Sequence, residues 1–280
     1  MSKILVATDL SDRSGPALER GAILAQRLEM NVEVLHVVDD TAPAEISAQY
    51  ETAARKALSE LIASLPAAAE VNPDVAIIRG QDFRAILERA SESKVELIVL
   101  GVTRTTASEF FGGTTAERVV RMGDVPVLMV KEPPTDAYRH VLVATDLSPS
   151  AKRAMRMALE IAPGAEFSLL HVVHVPFKGL LGPEAVDQVR GEREQDVKDA
   201  LLEDVHELAA DLKIEPPEMK VLIQEGEIRT AIHQQISETR PDLLALGTHG
   251  RAGLRHALIG SVALDMLSDP PLDGLVTKAG

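Results

Sequence analysis

Residues 246–264, LGTHGRAGLRHALIGSVAL, place glycines at 247, 250 and 260 and put Ser261 directly behind the last. A glycine costs roughly 0.5–1 kcal/mol in a helix interior, so three of them in a helix-forming stretch need a reason. Two reasons stand open at this level: a helix C-cap followed by a loop, or a backbone cradle for phosphates. The cradle has a steric logic. Without Cβ atoms, Gly247 and Gly250 let the chain turn sharply and approach a ligand. Gly260 and Ser261 open the next helix, whose N–H groups and dipole favour an anion. Thr248, His249, Arg251, Arg255 and His256 complete a segment that is polar and locally basic within an acidic chain. No Lys-Ser or Lys-Thr closes a glycine run, and no GxGxxG follows the first strand, so neither common phosphate fingerprint is present.

The elements that must position this segment are written twice. KILVATDLSDRSGPALERGAILA at 3–25 matches HVLVATDLSPSAKRAMRMALEIA at 140–162, and VLHVV at 34–38 matches LLHVV at 169–173. GQDFRAILERASESKVELIVLG at 80–101 matches GEIRTAIHQQISETRPDLLALG at 226–247, in the same order. Repetition at this scale points to two copies of one fold. The reading is two domains, 1–134 and 138–280, with the polar, Pro-containing KEPPTDAYR at 131–139 as the join. Cut near 137, the halves carry 14 basic to 21 acidic and 15 to 22 acidic residues, net −7 each.

Short Val/Ile/Leu-rich runs alternate with helical patterns in each half. Strands are expected at 3–7, 31–38, 74–79, 95–100 and 125–130, then at 140–144, 166–173, 218–224, 242–246 and 274–277. Ser11 or Ser148 is expected to cap the first helix of its half. Apolar strands alternating with helices predict an α/β fold: two tandem, doubly wound, parallel five-stranded sheets in 3-2-1-4-5 order. The halves are expected to pack as a pseudo-twofold pair through 125–130 and 274–277, because bare edge strands invite uncontrolled pairing. PPLDGLVTK makes an imperfect partner, with Asp273 and Gly274 where the first half has VPVLMVK. Ligands of such sheets bind beyond the strands' carboxyl ends at the switch point. That rule puts Asp146, after the first strand of the second half, across one crevice from Gly247, after its fourth.

Composition narrows the ligand. The formal net charge of −14 argues against nucleic acid, and an aromatic content of 2% argues against base-stacking platforms. A small anion remains compatible, because backbone N–H groups act at hydrogen-bond range while distant charges are screened within about 8–10 Å. There are no cysteines, hence no thiolate catalysis or cysteine-ligated metal. No apolar run approaches about 18 residues and no secretory signal opens the chain, so no membrane association and a cytoplasmic location are the expectation.

Taken together, these segments resemble the universal stress protein family over the whole length, as a tandem member. The family's ATP-binding members carry Gly, two residues, Gly, nine residues, Gly, then Ser or Thr. Gly247, Gly250, Gly260 and Ser261 match that pattern in full. The resemblance implies ATP, alone or with magnesium, as the cofactor of the second half. It implies that Asp146, behind Ala144 and Thr145, faces the ribose and that Val172 meets the adenine through its main chain. It further implies that Gly247 to Arg251 wrap the phosphates and that Gly260, Ser261 and Val262 contact them from the helix start.

The first half departs from the pattern. Asp9, Val37 and Gly101 remain, but Arg104 replaces the second glycine, the spacing to Gly113 and Thr114 is one residue shorter, and Glu109 adds negative charge. This is read as an altered or empty site, so one ATP per chain is expected. Bland readings stand beside these: Asp9 and Asp146 as cap or turn residues, His36 and His171 as satisfied strand histidines, and FKGLLG at 177–182 as a segment packed on its own domain. No catalytic residue or metal site is assigned. The function expected is nucleotide occupancy that regulates stability or the choice of a still unidentified protein partner in a stress response. A slow ATPase or self-phosphorylating enzyme and a nucleotide-independent scaffold are the alternatives. Pairing of chains into a homodimer is a further expectation.

Overall fold

The computed structural model describes residues 2–11, 13–41, 43–102, 113–173, 183–248 and 259–279. Among them, the first half runs β1 (Lys3–Thr8), α1 (Ser14–Leu28), β2 (Asn31–Val38), α2 (Ala44–Ser64), α3 (Pro66–Val71), β3 (Asp74–Arg79), α4 (Asp82–Glu92), β4 (Val95–Gly101), α5 (Thr115–Met122) and β5 (Val127–Val130). The second runs β6 (His140–Ala144), α6 (Pro149–Ile161), β7 (Glu166–Val173), α7 (Pro183–Leu212), β8 (Met219–Glu225), α8 (Ile228–Thr239), β9 (Leu243–Gly247), α9 (Ser261–Ser268) and β10 (Asp273–Thr277). Every expected strand is present, with ends moved by no more than two residues.

The strand order is β3-β2-β1-β4-β5-β10-β9-β6-β7-β8. Each half is therefore a parallel 3-2-1-4-5 sheet, and the two meet at the antiparallel β5–β10 pair, where Gly274, Leu275 and Val276 face Met129, Leu128 and Val127. This pseudo-twofold join leaves neither central edge bare. Alternation along the strands feeds a core on each face. Ile4 and Val6 pack under α1 on one face, while Leu5 points to the other, toward Phe83 and Ile86 of α4. Both cores draw residues from both halves, so the ten-stranded sheet is one packed unit.

The imperfect partner at 272–277 has a physical reason. Asp273 Oδ1 accepts from the Lys131 backbone N–H at 2.9 Å and Asp273 Oδ2 from the Tyr138 hydroxyl at 2.7 Å. The Arg20 guanidinium lies 3.9 Å from the Tyr138 ring centroid, with its Nε 3.5 Å from Asp273 and its Nη1 donating to the Asp136 carbonyl at 2.6 Å. All three side chains are buried. The expected linker is thus an integral part of the seam, for Tyr138 is only 3% exposed. Gly274 leaves room for Met266, whose side chain any Cβ there would strike.

The expectation for helix starts holds on one side only. Ser148 caps α6, its Oγ accepting from Ala151 N at 3.3 Å. Ser11 does not cap α1: the N-cap is Arg13, in helical conformation, and Ser11 instead offers its carbonyl to Ser14 N. The difference lies in Pro149, which pre-sets the first helical turn in the second half, where the first half has Asp12.

Candidate functional site

The strand ends build their crevices from a shared turn. In each half the chain leaves the first strand through Thr-Asp-Leu-Ser with the leucine left-handed, at φ 60° for Leu10 and 62° for Leu147. A bulky side chain avoids that region at a cost of roughly 1–2 kcal/mol, so neighbours must hold it. The threonine hydroxyl does so, accepting from Leu10 N at 3.0 Å and Leu147 N at 3.1 Å. The aspartate does the rest: Asp9 Oδ1 accepts from Ser11 N at 2.9 Å, and Asp146 Oδ1 from Ser148 N at 3.1 Å. The turn-holding role of both aspartates is therefore real, and it sets their carboxylates at the crevice. Burial pushes the Asp9 carboxyl up, but hydrogen bonds from Ser11 and Ser14 outweigh it and hold it below the ordinary aspartate value.

The two strand histidines brace the same turn. His36 Nδ1 donates to Thr8 O at 2.9 Å and His171 Nδ1 to Thr145 O at 2.8 Å, since a carbonyl can only accept. His174 and the segment 177–182 lie outside the described residues.

In the second half a cavity of about 300 Å³ opens beyond β6 and β9. Ala144, Thr145 and Asp146 form one side, Val172 the floor from β7, and Gly247 with Thr248 the end of β9. Gly260, Ser261 and Val262 enter from the start of α9. Nine of the twelve expected residues are thereby brought together; His249, Gly250 and Arg251 lie outside the described residues. Ile228 and Ala151 also line the cavity. They are apolar or small residues at helix starts, and nothing in their type marked them out beforehand.

The glycines differ in what demands them. A Cβ on Gly247 would lie 2.7 Å from Ala151 N and 2.5 Å from Ser150 Oγ, so close packing of β9 against α6 requires it. The reading of Gly247 as a ligand-approach glycine is thus corrected, and Gly101 repeats the finding with the Arg13 carbonyl at 2.7 Å. At Gly260 φ is −63°, and the nearest atom to an added Cβ is Thr248 O at 3.2 Å. Its surroundings within the protein ask much less for glycine. Gly260 N donates to Thr248 O at 2.8 Å, and α9 begins without any side-chain cap. The positive end of its dipole therefore faces the cavity without a protein counter-group of its own.

The first-half cavity, about 140 Å³, holds Asp9, Val37 and Gly101 in the equivalent places. Its helix start is different. Thr114 caps α5, accepting from Glu117 N at 3.1 Å, and Gly113 sits at φ +76° beneath the Glu117 carboxylate. Asp82 and Thr115 line the cavity and hydrogen-bond to each other. Gly113 and Thr114 stand beside it, and Arg104 lies outside the described residues. The signal for Asp82 was present in the repeat, where GQD faces GEI. No helix among the described residues is long and apolar enough to cross a membrane.

Known proteins extend this geometry. Universal stress protein MJ0531 of Methanocaldococcus jannaschii is 31% identical over 141 residues, covering 47% of this chain and 82% of that protein. Universal stress protein MJ0577 of the same organism is 25% identical over 154 residues, or 50% of this chain and 95% of its own length. A universal stress protein crystal structure from Archaeoglobus fulgidus superposes with a TM-score of 0.68 at 22% identity, covering 99% of this chain and 98% of that one, which speaks for the fold. The model of the universal stress protein family matches twice, at residues 1–131 and 137–278. With both halves matched and the strand order of each reproduced, the chain belongs to the universal stress protein family, as a tandem member.

Proposed function

We propose that the second half binds ATP and that its occupancy regulates the protein's stability or its choice of partner in a stress response. The observation that carries the reading is the uncapped start of α9 facing Asp146 across a cavity of about 300 Å³. A polyphosphate meets the N–H groups of Ser261 and Val262, while Asp146 accepts from ribose hydroxyls and the apolar floor at Val172 takes the base. The adjoining loop, residues 249–258, carries two arginines and no acidic residue. Magnesium would screen the phosphates from Asp146, and no residue is assigned a catalytic role. The reading places the protein in the cytoplasm, where ATP is abundant.

Occupancy has a route to the rest of the molecule. The far end of α9 reaches the first half, where Ser268 Oγ donates to Glu117 Oε1 at 2.7 Å. A ligand that fixes the start of α9 also fixes this contact. Binding to the folded chain alone adds about 2.7 kcal/mol of stability when ligand is 100-fold above its Kd.

Native mass spectrometry of freshly purified chain tests this directly, with one ATP per chain expected. Calorimetry should show Asp146→Ala weakening ATP by about tenfold or more, the loss of one charge-assisted contact. Neither co-purified nucleotide nor heat on titration with ATP would overturn the reading.

A further inference from the structure

We infer that the first half is a binding site for an uncharged nucleoside-class ligand, because its own carboxylates occupy the place where the second half would hold phosphates. The nucleoside class rests on the proposed reading of the second half, whose ring and ribose positions the first half repeats. Ala7, Thr8, Asp9 and Val37 line its cavity where Ala144, Thr145, Asp146 and Val172 line the other. A second cavity, of about 430 Å³, adjoins the first, sharing Asp9 and Val37 with it and ending at Tyr50. Tyr50 is 59% exposed, an aromatic face left uncovered beside an apolar strand end. That is a suitable surface for a planar ring.

The phosphate end has been rebuilt. Two positions carry the change: Asp82 stands where the second half has Ile228, and Glu117 where it has Leu264. Asp82 accepts from the Thr115 hydroxyl and from Phe83 N, and its carboxylate lines the cavity. Glu117 extends over Gly113, its backbone N–H already taken by the Thr114 side chain. The dipole of α5 thus has its negative partner within the chain, and an incoming polyphosphate meets two carboxylates instead of open N–H groups. Arg13 is the one cation lining this cavity among the described residues, and it faces outward to the Val102 carbonyl at 3.5 Å. One exposed guanidinium offsets one carboxylate, which leaves the site net negative toward a triphosphate.

The full chain carrying Asp146→Ala, which silences the second half, is the material for the test. Adenosine and ATP are titrated separately by calorimetry. Adenosine is expected to bind about tenfold or more tighter than ATP, and Asp9→Ala added to this chain is expected to abolish adenosine binding. The isosteric pair Asp82→Asn with Glu117→Gln is expected to raise ATP affinity about tenfold while leaving adenosine unchanged. No adenosine binding, ATP binding as tight as adenosine, or an unchanged ratio in the neutralised pair would each overturn the inference. Failure of the second-half reading shows separately, as no ATP bound by the unmodified chain while adenosine still binds in an Asp9-dependent manner.

Discussion

Replacing Asp273 by alanine should be far more damaging than its place at the end of a short strand implies. The side chains of Asp273 and Arg20 are each 7% exposed, and the substitution strands the guanidinium against the Tyr138 ring without its carboxylate. The Tyr138 hydroxyl and the Lys131 N–H lose their acceptor as well. Breaking one partner of a buried pair costs about 3–5 kcal/mol. Removing both charges is different. The other half has Met157 where the first has Arg20, so Arg20→Met with Asp273→Asn is expected to cost about 1 kcal/mol or less, since no unpaired charge is left inside. The titration of Asp273 points the same way. Burial raises its pKa, and the bonds from Lys131 and Tyr138 and the charge of Arg20 do not bring it back. A carboxyl with a raised folded value binds its proton in the native state before the unfolded chain does. Its contribution is therefore full below the ordinary aspartate value near 3.8 and is lost as pH rises through the folded value. Burial likewise lifts the Tyr138 phenol well above 10, which keeps it a donor. Urea unfolding of the full chain at neutral pH, for the two single variants and the double, measures the coupling. A cost below about 1 kcal/mol for Asp273→Ala, or a double variant that costs the sum of its singles, would refute the reasoning.

Two further outcomes follow from local geometry. Ser148→Ala should lower stability by about 1 kcal/mol through loss of the α6 cap, and Ser11→Ala by less, because its side chain caps no helix; thermal unfolding of the pair reads the difference. Gly247→Ala should cost about 1–3 kcal/mol even without ligand, since the new Cβ meets the Ala151 backbone at 2.7 Å, and an unchanged melting temperature would return that glycine to a ligand role.

Much of this architecture was legible in the residues themselves. Strand and helix positions follow from local periodicity, and the repeated Thr-Asp-Leu-Ser carries its own hydrogen-bonding groups, so a short window holds all the information they need. The crevice follows too, because strand order in a doubly wound sheet brings the ends of strands one and four together. What distance along the chain concealed was decided by packing. Gly247 is required by the backbone of α6, nearly 100 residues earlier, and not by a ligand. Asp273 looks like a defect in an edge strand until Arg20 and Tyr138 are placed against it. The carboxylates of Asp82 and Glu117, 35 positions apart, acquire their meaning only where α4 and α5 bring them to one helix start. Sequence reports the chemistry each residue owns, and folding decides which groups are close enough, and dry enough, for that chemistry to act.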